Sequence, residues 1–188
     1  ITNIEKILKK STTPLTTTHF FASAFGKMFK QYPYLNQVLI RNKLYQREEI
    51  NVFIHTHLNT KKGYDLNGIT IQNVNLLSVT EIANYVNKET NKLRKNKNKS
   101  INKSKKLLAI FPSWSYQFAM KLIEFLLYPL NRNLSSIGIP KDPFGSFALS
   151  AIGSFGFHEA FLPLFPLARM PLVIGIGKPY DQLVLKNN

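Results

Sequence analysis

The chain has 188 residues, 44% of them apolar, with 25 Lys and Arg against 10 Asp and Glu, a formal charge of +15 and no cysteine. This length and apolar share suit one domain with a real core and exclude a chain disordered throughout. The missing cysteines exclude a disulfide scaffold, a thiolate metal site and a cysteine nucleophile, and they fit a reducing, cytoplasmic setting. No uncharged run exceeds 16 residues, short of the about 18 apolar residues that a spanning helix needs, so no transmembrane segment is expected. The opening ITNIEKILKK has no apolar h-region and does not begin with Met. It reads as the interior of a longer chain, not as a secretory signal.

In TTTHFFASAFGKMFKQY, Phe21, Phe25, Met28, Phe29 and Tyr32 recur at spacings of three and four. That is one helix face turned to a core, and Pro33 ends the helix near Tyr32. Short β-prone stretches follow at 37–40, 50–58 and 68–74. In the second, Val52, Ile54, Thr56 and Leu58 alternate with Phe53, His55 and His57. Gly63 and Asn67-Gly68 supply turn chemistry between the last two, which predicts a hairpin. Ser78-Val79-Thr80-Glu81 is a capping box that opens a helix with Ile82, Tyr85, Val86 and Leu93 on one face.

The span 88–106 holds nine cations and one acid, and its run KNKNKSINKSKK has almost no apolar content. Such a segment cannot bury enough surface to offset its ordering entropy, so it reads as a basic, solvated linker. Residues 113–130 read as a helix with Trp114, Phe118, Leu122, Phe125 and Leu126 inward and Lys121 and Glu124 outward. FGSFALSAIGSFGF and PLVIGIG read as buried strands, short, apolar and bounded by Gly and Pro. Helices alternate with strands throughout, so the class is α/β, a single domain over 1–188 without internal repeats.

The four histidines give little chemistry by themselves. His55 and His57 lie two apart on one strand face and could offer two nitrogens to a metal, but no third ligand is placed with them. A solvated strand face is the simpler reading, and no metal is expected. His19, beside Phe20 on a helix, reads as a partly buried structural residue. His158, after a Gly-rich turn and before Glu159, reads as a packing or surface residue. No phosphate-cradling GxxxxGK[ST] and no GxGxxG occurs, and the segment around Ser154 is not a GxSxG elbow. The basic run has a single Arg and no aromatic, so it lacks base-edge readout and stacking. Specific nucleic-acid binding is not expected, and a nonspecific anionic contact is the most such a run suggests.

The stretch DPFGSFALSAIGSFGF resembles the GGTFTISNLGMFG region of 2-oxoacid dehydrogenase dihydrolipoyl acyltransferases, with Phe147, Ser150, Gly153 and Gly156 at the matching positions. FLPLFPLARMPLVIGIGKP is similar to the family segment that follows. HFFASAFGKMFKQYPYLN resembles its helix ending in "eLN", here Tyr34-Leu35-Asn36. INVFIHTHLNTKKGYDLNGITI echoes IEVAVxxxxGLxxPVI, and the similarities run in the family's order over nearly the whole chain.

The resemblance implies the chloramphenicol acetyltransferase-like fold, a mixed β-sheet flanked by helices and here incomplete at both termini. It implies homotrimers or multiples of trimers with active sites between subunits. The implied reaction is acyl exchange between coenzyme A and a thiol such as lipoamide, carried by a lipoyl-bearing domain, or a hydroxyl acceptor. In the family a histidine of an Asp-His-Arg-x-x-x-Asp-Gly motif is the general base. The strand serine, matched by Ser150, donates a hydrogen bond to the oxyanion. No such histidine motif occurs in the 188 residues, so the expectation is a fragment that stops before it and is inactive alone. Ala151 stands where the family often has Asn. The alternatives are a noncatalytic homologue serving as an oligomerisation scaffold and a basic interaction module.

Overall fold

The computed structural model describes residues 14–60, 63–94, 115–137, 141–164 and 166–180, with positions 4, 7, 8, 11, 112 and 139 besides; the side chains of 57–60 and 63–66 are outside that set. Helix α1 (Thr17–Gln31) ends before Pro33 as its periodicity predicts, and Ala22 and Phe29 are fully buried with Phe21, Phe25 and Met28 packed around them. Tyr32 departs from that pattern. It is the C-terminal cap and points to solvent, stacked edge-on with Tyr34.

After a single turn (Pro33–Leu35), β1 (Gln37–Ile40) and β2 (Lys43–Gln46) pair as a small antiparallel hairpin. Its turn is made by Arg41 and Asn42, both at positive φ. The second strand is exposed throughout, so it carries no hydrophobic signal from which the sequence could reveal it.

Among the described residues the main sheet has four strands in the order β4-β3-β5-β6, where β3 is Val52–Thr60, β4 Gly63–Ile71, β5 Phe147–Ser150 and β6 Leu172–Gly175. The β3–β4 hairpin is antiparallel, while β3 pairs β5 and β5 pairs β6 in parallel. The sheet is therefore mixed, as expected. Gly68, read from sequence as part of a turn, sits inside β4 opposite His55. A β-carbon there would come 1.9 Å from the Phe53 ring, so this glycine is required by a cross-strand aromatic and not by a reversal of the chain.

Alternation divides the sheet into two chemically distinct faces. Val52, Ile54, Ile69, Ile71, Phe147 and Leu149 face α1 and helix α2 (Val79–Arg94), closing the main core with Phe29, Val74, Ile82 and Leu93. Phe147 lies between the rings of Phe25 and Phe29, at 6.0 and 4.9 Å. The other face carries Phe53, Ala148 and Val173, packed with Phe144, Ala168 and Met170.

The Ser78 capping box forms as predicted: Glu81 N–H donates to Ser78 Oγ at 3.2 Å, and Ser78 N–H donates to Glu81 Oε2 at 2.8 Å. The helix it opens runs seven residues into the span read as a linker. Leu93 is buried, and Lys92 pairs with Glu89 at 2.5 Å. The i, i+4 and i, i+7 apolar pattern outweighs local charge up to Arg94; residues 95–106 lie outside the described residues.

Helix α3 (Tyr116–Leu127) is rotated from the expected face, although Lys121 is exposed as expected and Leu126 is half-buried. Ala119, Ile123, Leu127 and Tyr128 face inward, the last three against Val38 and Ile40 of β1, while Phe118 is 73% exposed and Leu122 and Phe125 also face solvent. Trp114 lies outside the described residues. Both faces of this helix are apolar, so periodicity alone could not choose between them. Glu124 decides it, pairing with Arg169, whose guanidinium also lies 4.8 Å over the Tyr128 ring.

The same region holds a buried cation. Arg47 Nε donates to Asp142 Oδ2 at 2.8 Å, and its two terminal nitrogens donate to the carbonyls of Gln37 at 2.6 Å and Arg169 at 3.0 Å. This one side chain ties the β1–β2 hairpin to the loop entering β5 and the segment entering β6. Arg47→Ala leaves Asp142 without its partner and should cost about 3–5 kcal/mol in urea unfolding. A loss below about 1 kcal/mol, typical of an exposed pair, would contradict this anchoring.

Candidate functional site

Four residues of the motif around β5 have distinct positions, and three have an evident structural reason. Phe147 fills the core beside α1. Gly153 passes so close to the chain leaving β6 that a β-carbon would meet Lys178 N at 2.6 Å, and its own amide donates to Ile176 O. Gly156 has φ +86°, the left-handed region that favours glycine. The run 144–157, expected to be a buried strand, is strand only over Phe147–Ser150, followed by a turn (Ile152–Phe155).

Ser150 is the fourth. It ends β5 on the face turned away from α1 and α2, is 9% exposed, and its hydroxyl makes no hydrogen bond to a described residue. The neighbouring serines differ. Ser146 Oγ accepts from Asn51 N–H at 3.1 Å, and Ser154 Oγ–H donates to Ala151 O at 2.6 Å. With no bond to a described residue, the Ser150 hydroxyl can donate to a bound group.

Strand register sets what surrounds Ser150. It pairs with His55 on β3 and with Gly175 on β6, and His55 in turn pairs with Gly68 on β4. Register partners share a face, so a single row crosses the sheet from Gly68 through His55 and Ser150 to Gly175. His55 is half-buried, its Nδ1 lies 3.3 Å from Leu149 O, and its ring meets Phe53 edge-on at 5.1 Å. The solvated-face reading of His55 therefore fails, because β5 lies alongside β3 at this point. The His57 side chain is outside the described ones. Among the described residues no group of three His, Cys, Asp or Glu is placed to hold a metal.

The other histidines are structural. His19 is buried, with Nδ1 accepting the Thr16 amide at 3.1 Å at the start of α1. His158 is exposed and holds the chain beyond β6 through Nδ1–H to Lys178 O at 3.1 Å and an edge-on contact with Tyr180. A cavity of about 560 Å³ lies elsewhere, between the β1–β2 hairpin and the end of α3, lined by Arg41, Tyr45, Arg47, Tyr128, Lys141 and Asp142. Neither Ser150 nor a histidine lines it. Its tyrosine is anchored: Tyr128 O–H donates to the carbonyls of Leu167 and Ala168, and burial pushes its phenol far above the ordinary range.

The architecture is similar to that of catalytic cores of known acyltransferases. A probable dihydrolipoamide acetyltransferase from Listeria monocytogenes is 16% identical with a TM-score of 0.60, the alignment covering 97% of this chain and 58% of that one. The dihydrolipoamide acetyltransferase of Azotobacter vinelandii is 17% identical, again at 0.60, over 98% of this chain and 58% of that one. The cubic core of the pyruvate dehydrogenase multienzyme complex gives 18%, 0.60, 98% and 58%. The chain thus has the α/β acyltransferase-core fold and spans less than two thirds of those proteins. No family model matches the sequence. No curated protein matches it. None of the described helices is long and apolar enough to cross a membrane.

Burial of His19 holds its imidazole below the ordinary histidine range, so the folded chain keeps it neutral while the unfolded chain takes up a proton. Stability from this group is complete above about pH 6.5 and falls as the pH drops below it. Urea unfolding at pH 7.5 and 5.5 should show a smaller acid loss in His19→Gln than in the parent; equal losses would place the titration elsewhere.

Proposed function

We propose that the chain is part of a dihydrolipoyl acyltransferase-like enzyme that moves an acyl group between coenzyme A and a thiol acceptor such as lipoamide, with a hydroxyl as the alternative acceptor. The observation that carries this reading is the Ser150 hydroxyl, at the end of β5 on the sheet face away from the helices of an acyltransferase-core fold and bonded to no described residue. The Azotobacter enzyme, of the same fold, is one in which a serine, a histidine and an asparagine were investigated for roles in catalysis.

Attack of a thiolate on a thioester carbonyl creates a tetrahedral oxyanion, and the barrier falls when a hydrogen-bond donor already points to where that charge forms. Ser150 is such a donor. The ladder fixes its backbone on both sides, and its own carbonyl is occupied by the Ile176 amide at 2.8 Å. Donating to the oxyanion therefore needs only rotation of the hydroxyl. The serine is not the nucleophile on this reading, and the proton on the attacking thiol goes to a base that the 188 residues do not supply in the family's motif.

Association of copies accords with the surface near the site. Phe157, Phe161 and Leu164 are exposed, Phe161 wholly so at 104%, and large exposed apolar side chains concentrated in one segment favour burial at an interface. A homotrimer, or a multiple of trimers, would cover it and bring a second subunit to the Ser150 face.

In the full-length protein, Ser150→Ala should lower kcat by ~10²–10³ with little change in KM, the signature of a contact made only in the transition state. Steady-state acyl transfer measures it, and wild-type turnover in this variant would show that Ser150 is not the oxyanion donor.

A further inference from the structure

We propose that the outward face of α3 docks on a membrane surface, laying its apolar stripe into a bilayer of anionic lipid. This inference is independent of the Ser150 reading. Phe118, Leu122 and Phe125 follow one another at spacings of four and three, which puts them in a single stripe along the helix. They are 73%, 48% and 42% exposed, and none of them lines the cavity beside Arg47. The opposite face is already used, since Ile123, Leu127 and Tyr128 pack with Val38 and Ile40 of the hairpin. The helix therefore has two apolar faces, and the fold accounts for one of them.

Charge says what covers the other. Between positions 95 and 141 the sequence has nine cations and a single acid, Glu124. That acid is half-buried in its pair with Arg169. Lys121, exposed, borders the stripe beside Leu122, and the exposed Arg41 guanidinium lies 5.4 Å over the Phe125 ring. The stripe is thus edged by positive charge, and its partner is anionic.

The kind of cation separates a lipid surface from an acidic protein. Protein interfaces are enriched in arginine, whose fork matches fixed carboxylates, and depleted in lysine. The chain leading towards α3 carries six lysines over 95–106 with no arginine and no acid. Ammonium groups of that kind suit a diffuse layer of lipid phosphates and supply attraction over a Debye length, about 8–10 Å. Contact then belongs to Phe118, Lys121, Leu122, Phe125 and Arg41. A helix of 12 residues, roughly 18 Å long, with Phe and Leu on one side and cations at their border, is built to lie in the headgroup plane.

The test is co-sedimentation of the full-length protein with phosphatidylcholine vesicles, with and without about 30% phosphatidylglycerol. The parent should bind the anionic vesicles, more weakly in ~0.5 M salt, and leave the neutral ones. Replacing Phe118→Ser and Leu122→Ser together should weaken binding to the anionic vesicles by roughly tenfold or more. Urea unfolding of this variant should match the parent, because neither side chain belongs to a packed cluster. Lys121→Glu, which leaves the apolar stripe whole, should also weaken binding. Vesicle binding by the double variant equal to the parent's would overturn the proposal, as would a parent that ignores anionic vesicles. Self-association of the parent that the double variant abolishes, with vesicles left unbound, would overturn it in favour of a second copy of the chain on this face.

Discussion

Everything about the candidate site follows from one constraint, the burial of β5 between β3 and β6. All four residues of that strand are buried, and it is hydrogen-bonded on both edges in parallel register. Its alternation is therefore not free. Phe147 and Leu149 must serve the helix-covered core, and Ala148 and Ser150 must face the other way. A slip of one residue that put Ser146 in the place of Phe147 would set a hydroxyl among the Phe25 and Phe29 rings and Leu149 opposite His55, so the large core that fixes Phe147 also aims Ser150.

The segments entering the parallel strands are held by polar contacts. Gly145, at φ +68°, passes Asn51 so closely that a β-carbon would be 2.6 Å from its carbonyl, and the Ser146 amide donates to that same carbonyl at 2.8 Å. Arg47 reaches the Asp142 carboxylate and the Arg169 carbonyl from the hairpin side. Stability and site geometry thus share supports: the ion pair and the tight glycine fix where β5 begins, and the β5 register fixes where its last hydroxyl ends up.

Much of this was legible in the sequence, and the failures have physical causes. Residues with one structural job were readable: the periodic phenylalanines of α1, the Ser78–Glu81 box and the alternation of β3. Gly68 was misread because turn glycines and glycines beneath a cross-strand ring look alike in sequence. Helix α3 was turned the wrong way because Phe118 and Leu122 are as apolar as Ile123 and Leu127, and the deciding contact of Glu124 comes from Arg169, 45 residues away. His55 was set aside as solvated because its partner strand lies more than 90 residues on, and only tertiary pairing brings the two together. Ser150 was found through the resemblance of its surroundings; what singles it out physically, a hydroxyl bonded to no described residue beside two satisfied serines, needs coordinates.

The central claim is that an acyl thioester is held with its carbonyl oxygen at Ser150. A crystal structure of the full-length protein with a non-hydrolysable acyl-coenzyme A ketone analogue tests it directly. The account predicts the ketone oxygen roughly 2.7–3.1 Å from Ser150 Oγ, with His55 on one flank and Gly175 on the other. The analogue seated instead in the cavity beside Arg47 and Tyr128, with Ser150 untouched, would contradict it.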